Sequence, residues 1–253
     1  MKKQVAILIC VVALAGFLAR AQKGAKKSAK ASPTPATTVP QNAPPQNPVV
    51  PTITYDRVWE AYTPQNISIT VQSTGTTKYL SRNPAKPREE QETDPDFTLE
   101  FTMSAGNREK LFRDAKEANY FEGDFAFKKH VVSSTGKKTL TYADPARHFE
   151  TVYDYSESRA IAEITNIFQG ISNTIEHGRK LQYLRRFDKL GLEDELRGME
   201  AMAENNYLAE LQLIAPTLEN IANDPAILNI ARQRARRLLA RSSSEQAASE
   251  SQK

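Results

Sequence analysis

The run Asn66-Ile67-Ser68-Ile69-Thr70-Val71-Gln72, followed through a turn at Gly75 by Thr76-Thr77-Lys78-Tyr79-Leu80, decides how this chain folds. Ile67, Ile69 and Val71 alternate strictly with Ser68, Thr70 and Gln72. A strand places successive side chains on opposite faces, so the stretch reads as a half-buried β-hairpin. Outward from it, the polar residues 81–95 with Pro84 and Pro87 read as a loop, and Phe97, Leu99, Phe101 and Met103 alternate as a third strand. Val131 to Ser133 and Thr139 to Tyr142 flank a turn at Ser134-Thr135-Gly136-Lys137, and Phe149 to Tyr153 adds one more β segment. Alternation of this kind belongs to an antiparallel sheet with one wet face.

Helical periodicity fills the rest. Tyr55, Val58, Trp59 and Tyr62 fall at i, i+3, i+4 and i+7 ahead of Pro64 and predict a short helix. Ser104 caps a predicted helix from Ala105 to Tyr120 whose inward face carries Leu111, Phe112, Ala115 and Ala118. Ser156 caps a longer one through Ile161, Ile164, Phe168, Ile171 and Ile175 that continues by Leu181 and Leu184 to Leu190, weakened by Gly170 and Gly178 and ended by Gly191. Beyond it the sequence predicts helices over Leu192 to Asn205, over Tyr207 to Ala222 with Pro216 as a kink or break, and over Pro225 to Arg241 with Asp224 as cap. The fold class is therefore α+β: a small antiparallel sheet with packed helices, followed by an all-helical C-terminal extension.

The first fifty residues carry a different signal. Lys2 and Lys3 precede the uncharged run from Val5 to Ala19, and Ala19-Arg20-Ala21 follows it. That run is shorter than the roughly 20 residues needed to cross a bilayer core, so a cleavable secretory signal over 1–21 is the expectation and an uncleaved N-terminal anchor the alternative. Residues 22–51 hold seven of the fourteen prolines and a small basic cluster of Lys23, Lys26, Lys27 and Lys30, the composition of a disordered tether. The expected organisation is an α+β domain over 52–190, a helical extension over 191–241, and a disordered Ser/Glu/Gln tail over 242–253. Cys10, the single cysteine, lies inside the signal, so a mature chain forms no disulfide. Residues 1–51 carry seven Lys or Arg and no acid, which leaves 27 basic against 30 acidic residues, net −3, over 52–253. The basic pI thus comes from the leader and tether, and no nucleic-acid footprint remains.

The order of strand pair, strand, helix, strand pair and long helix across residues 66–190, with Leu111-Phe112 through Asn119-Tyr120-Phe121, resembles uncharacterised domains of exported bacterial proteins. The resemblance implies the fold and an exported setting, and it brings no assigned activity and no functional residue. Ile230-Ala231-Arg232 and Ala235 to Leu239 are similar to one unit of a HEAT-type helical repeat.

Chemistry-bearing patterns are sparse. Ser134 and Lys137 have the Ser-x-x-Lys spacing of penicillin-recognising enzymes, but the spacing falls in an expected turn and its Ser-Asp-Asn and Lys-Thr-Gly partners do not occur. Gly136-Lys137 is no phosphate loop, since Val131 and Lys138 stand where a glycine and a Ser or Thr belong. His130, His148 and His177 are scattered; His148 with Glu150, Glu176 with His177, and Asp94 with Asp96 read as solvated polar neighbours. No catalytic, cofactor-binding or metal-ligating residue is assigned. The expectation is an exported, periplasmic or extracellular, non-enzymatic module that binds an envelope protein or wall polymer; an envelope hydrolase with a dispersed acid/base pair is the alternative.

Overall fold

The computed structural model describes residues 49–83, 96–130 and 133–250, with side chains as far as Ser244. The expected signal, most of the tether, the loop at 84–95, and Val131 and Val132 lie outside the described residues. The described residues belong to one compact unit spanning 45–253.

Among the described residues, six strands, β1 (Thr52–Val58), β2 (Asn66–Gln72), β3 (Thr76–Arg82), β4 (Phe97–Thr102), β5 (Lys137–Ala143) and β6 (His148–Tyr153), form one sheet in the order β4-β3-β2-β1-β5-β6. Every neighbouring pair is antiparallel. With the five helices α1 (Ala105–Glu117), α2 (Arg159–Phe187), α3 (Gly191–Glu204), α4 (Ala215–Asn223) and α5 (Asn229–Glu250), the protein is α+β with a helical C-terminal part.

Register sorts the inward side chains into three rows. Leu99, Tyr79, Ile69, Tyr55, Leu140 and Thr151 form the middle one. Phe101, Thr77, Val71, Ile53, Tyr142 and Phe149 lie on one side of it, and Phe97, Ser81, Ile67, Arg57, Lys138 and Tyr153 on the other. Across this face runs α2, with Phe168 stacked on Tyr55 at 5.0 Å and Thr165 bonded to the Tyr153 hydroxyl at 2.6 Å. Truncating Phe168, which is fully buried, to alanine removes about 3–5 kcal/mol of stability.

The expected helix at Tyr55–Tyr62 is corrected to strand β1. A central strand hydrogen-bonded on both sides, to β2 and β5, overrides a three-and-four spacing, and Ile53, Tyr55 and Arg57 all point inward. Of the expected turn and the strand before it, residues 133–136 are irregular and Val131 and Val132 lie outside the described residues; β5 pairs with β6 through a turn over Asp144–Arg147. There the Asp144 carboxylate accepts the amides of Ala146 and Arg147 at 2.8 and 2.7 Å, an Asx turn that closes the hairpin.

Helix boundaries shift for local reasons. After α1 the chain enters Asn119-Tyr120-Phe121, three consecutive left-handed residues (φ 48, 57 and 72°), so the helix stops at Glu117 rather than Tyr120. Each such residue costs about 1–2 kcal/mol, offset here by fully buried Phe121 and by Tyr120 packed on Tyr142 and beneath Arg147. The residue preceding α2 is Ser158, not Ser156. Gly191 opens α3 instead of closing α2, its amide held at 3.1 Å by Asp188 Oδ1. Pro216 sits in the first turn of α4, where its missing N–H is harmless, and so starts that helix rather than kinking one. Asp224 caps a turn ahead of α5, through the amide of Ala226, and α5 runs on to Glu250 where a disordered tail was expected after Arg241.

Buried apolar side chains fall into two clusters. One joins the sheet, α1 and α2 as far as Ile175; the other joins Leu181 and Leu184 of α2 to α3, α4 and α5. Glu210 ties the helical part to α1. This left-handed, buried residue accepts the Ser104 amide (2.9 Å), the Ser104 hydroxyl (2.7 Å) and the Asn107 side-chain amide (2.6 Å), capping α1 from 106 residues away.

Candidate functional site

At 29 residues α2 is about 43 Å long. Its C-terminal half meets the sheet through Glu176 on Tyr79 and Arg179 on Phe97, and it lines a groove of about 860 Å³. One wall is α2, with Asn173, Glu176, His177, Arg179, Lys180, Tyr183, Arg186 and Phe187; the other is the loop after β1 with Tyr62 and Thr63, and Phe97 at the start of β4 lies between.

The loop wall is built on a buried cation. Arg57 is 4% exposed, with its guanidinium carbon 4.8 Å from the Tyr62 ring and 5.9 Å from Trp59, and these two rings stack at 5.1 Å. Trp59 closes the loop by donating its amide to Gln65 at 2.8 Å and is pressed on Gly136 (φ 88°), where a Cβ would lie 2.6 Å from the Trp59 Cβ. Directly across from Arg57 on β5, Lys138 buries its ammonium and donates to the Asp154, Gly136 and Thr135 carbonyls and the Thr135 hydroxyl at 2.7–3.1 Å. Burial pushes that amine down; Asp154 pulls it back and Arg57 pushes it down further.

The helix wall is braced from behind. Tyr79 donates to Glu176 at 2.6 Å, and Arg179 donates to the other oxygen of that carboxylate at 2.8 Å while its guanidinium carbon lies 4.3 Å from the Phe97 ring. Burial first, then the Glu176 charge, pushes the Tyr79 hydroxyl far up, so it stays a donor. Buried Glu195 on α3 meets His177 Nδ1 and Lys180 Nζ at 2.5 Å each. Burial alone raises this carboxyl, but the two basic partners outweigh it and hold Glu195 below the usual glutamate range. Tyr62, Tyr183 and Phe187 are 40, 61 and 64% exposed, so each offers ring surface to a ligand.

The sequence-derived candidates are dispersed. Ser134 lies in a loop and Lys137 points to the solvent face of the sheet, so their spacing builds no site, whereas neighbouring Lys138 points inward. His148 and Glu150 are exposed at alternate positions of β6, and His130 sits edge-on to Phe127. Asp96 pairs with Arg82 at 3.0 Å, and Asp94 lies outside the described residues. Glu176 and His177 do share the groove, though each is committed to a different partner. Sequence reasoning missed Arg57, Tyr183 and Phe187; the aromatic pair at i and i+4 on the polar half of α2 was the available signal. Among the described residues, no three His, Cys, Asp or Glu side chains are placed to hold a metal ion, and no helix is long and apolar enough to cross a membrane. Compared with known proteins, the chain matches no family model and no curated sequence.

Proposed function

We propose that this chain is an exported cell-envelope module that holds a partner protein or wall polymer in the α2 groove without chemical turnover. The observation that carries the reading is the exposure of Tyr62, Tyr183 and Phe187 along one open groove whose polar walls are already braced. Aromatic side chains left substantially exposed around a concavity are the groups that supply binding energy when covered. Export rests on the charged, apolar and small-residue order of Lys2 to Ala21.

Two measurements test it. Fractionation of cells expressing the precursor, with the product's N-terminus determined by mass spectrometry, should give an envelope or secreted chain beginning at Gln22; cytoplasmic retention of an uncut soluble chain would remove export. A photo-crosslinking residue at Tyr183 should trap an envelope component that Phe187→Ala fails to retain. The hydrolase alternative has one supporting observation: His177 on the groove wall beside Glu176, paired with buried Glu195 behind it. Turnover of wall material or envelope protein by the purified chain, abolished by His177→Ala, would favour it over simple binding.

A further inference from the structure

Four helix ends meet at one end of the helical part. α2 and α4 run side by side, tied by Gln182 on Thr217 and by Lys189 on Asp224, each at 3.1 Å. α3 and α5 run back together, tied by Arg234 on Glu193 at 3.0 Å and by Arg237 on Glu200 at 2.6 Å. The α2–α3 and α4–α5 connections therefore close the same end. Between them they expose four large apolar side chains, Phe187 (64%), Leu190 (74%), Leu228 (48%) and Ile230 (49%). Buried Leu192 and Ile227 already fill the core behind this end, so the four add nothing to it. Connections ordinarily carry polar residues, glycine or proline, and apolar side chains gathered at an exposed tip mark a contact surface.

Charge selects what the tip meets. Residues 185–190 and 222–232 hold four cations, Arg185, Arg186, Lys189 and Arg232, against two carboxylates, Asp188 and Asp224, a net +2 on a body whose residues 52–253 carry −3. Both carboxylates are engaged: Asp188 accepts the Gly191 amide at 3.1 Å, and Asp224 accepts the Ala226 amide at 2.9 Å as well as Lys189. Arg185, Arg186 and Arg232 have no carboxylate within ion-pair distance among the described residues, and the Nε of Arg185 and of Arg232 has no acceptor. Leu190 and Leu228 stand in the connections themselves, and the three arginines stand behind them on the helices. Apolar groups ahead and arginines behind match the layering of an anionic membrane surface, acyl chains beneath phosphates. A protein partner fits less well, because four side chains projecting from two turns fall short of the roughly 800 Å² that each side gives to a stable interface.

We infer that this end of the helical part docks on an anionic lipid surface, with Leu190, Leu228 and Ile230 entering the boundary between headgroups and acyl chains while Arg185, Arg186 and Arg232 meet lipid phosphates. Of the four apolar side chains only Phe187 also lines the groove, so the inference goes beyond the groove reading and does not depend on it. The test uses the purified full chain and follows the tip itself, because residues 1–30 are apolar and basic in their own right. A solvatochromic fluorophore is attached at Leu190→Cys in a Cys10→Ser background, with Glu150→Cys, exposed on β6, as the control position. Vesicles of mixed phosphatidylglycerol and phosphatidylcholine should blue-shift the label at 190 and leave the one at 150 unchanged, and phosphatidylcholine alone should bind about tenfold more weakly. The pair Leu228→Ser and Ile230→Ser should weaken the response about tenfold, as should Arg186→Glu. All three side chains are exposed, so these variants keep the fold and the denaturant midpoint. A chain that binds vesicles while the label at 190 stays in water is held elsewhere and overturns the inference, as does equal affinity for neutral vesicles. If the chain instead self-associates without lipid and Leu228→Ser with Ile230→Ser dissolves the assembly, the tip is a protein interface and the lipid is wrong. The groove reading is unaffected by any of these results, since its test lies at Tyr183.

Discussion

The Lys138 ammonium shows how a single buried charge organises one end of the sheet. Its four acceptors lie on Thr135, Gly136 and Asp154, so one side chain fixes the loop entering β5 and the chain leaving β6. Lys138→Met keeps the apolar stem but leaves buried acceptors without a donor, and should lower stability by about 2–4 kcal/mol, read as a shift of the denaturant midpoint. The pH dependence follows from the amine being pushed below the ordinary lysine range. The folded state then binds the proton less tightly than the unfolded one, so folding gains stability as pH rises through the folded value toward the unfolded one. The gap between wild type and Lys138→Met should therefore widen across the alkaline range; a gap that narrows there contradicts the assignment. In the sequence only the spacing of the neighbouring Ser134 and Lys137 stood out, and it was set aside; the strand expected from Thr139 starts at Lys137, so Lys138 and its inward side lay just outside it. Ser104 was legible as the start of α1, yet its hydroxyl donates to Glu210 rather than capping the helix, and no local pattern announces a partner 106 residues on.

Close approach governs the element scale. A Cβ on Gly178, midway along α2, would stand 2.3 Å from Ile214 Cγ2, and Ile214 is buried and stiff at χ1. Gly198, midway along α3, has no atom within 4 Å of the corresponding point. Alanine raises helix propensity by about 1 kcal/mol at either site, but overpacking costs roughly 1–3 kcal/mol. Gly178→Ala should therefore lower the melting temperature and Gly198→Ala should raise it, with wild type between them; equal shifts would mean that Ile214 moves aside freely. The sequence marked Gly178 only as a weakness in a helix, since its use depends on a residue 36 positions later. The β2–β3 hairpin, β4, α1 and α2 were legible because each buries one regular stripe. Strand β1 was not: Arg57 takes an inward position and breaks the apolar alternation, while aromatic residues at Tyr55, Trp59 and Tyr62 imitate a helix. The groove depends on the loop after β1, Phe97 of β4 and the second half of α2 coming together, a juxtaposition that became visible only with the strand order.

At the scale of the whole molecule, α2 contributes side chains to both buried clusters. Acid should act on the junction. Glu195 binds His177 and Lys180 across α2 and α3, and its carboxyl is held below the usual range, so its stabilising contribution is present above the unfolded glutamate pKa and lost as pH falls through the folded one. Glu195→Gln should be less stable than wild type at pH 7 and close to it well below about pH 4, measured by urea unfolding at both values; a constant gap would remove Glu195 from the acid response. The sharper test removes residues 191–253. A chain ending at Leu190 loses the cover of Leu181 and Leu184 and takes Glu210 away from the amides and hydroxyl that start α1. Helical secondary structure can survive in such a fragment, but buried capping groups left open cost roughly 1–3 kcal/mol each, and the exposed leucines add to that. Far-ultraviolet dichroism should therefore persist while near-ultraviolet dichroism and cooperative melting are lost. A fragment that melts sharply at the wild-type temperature would show that the helices are an appendage, and that the groove wall is held by the sheet alone.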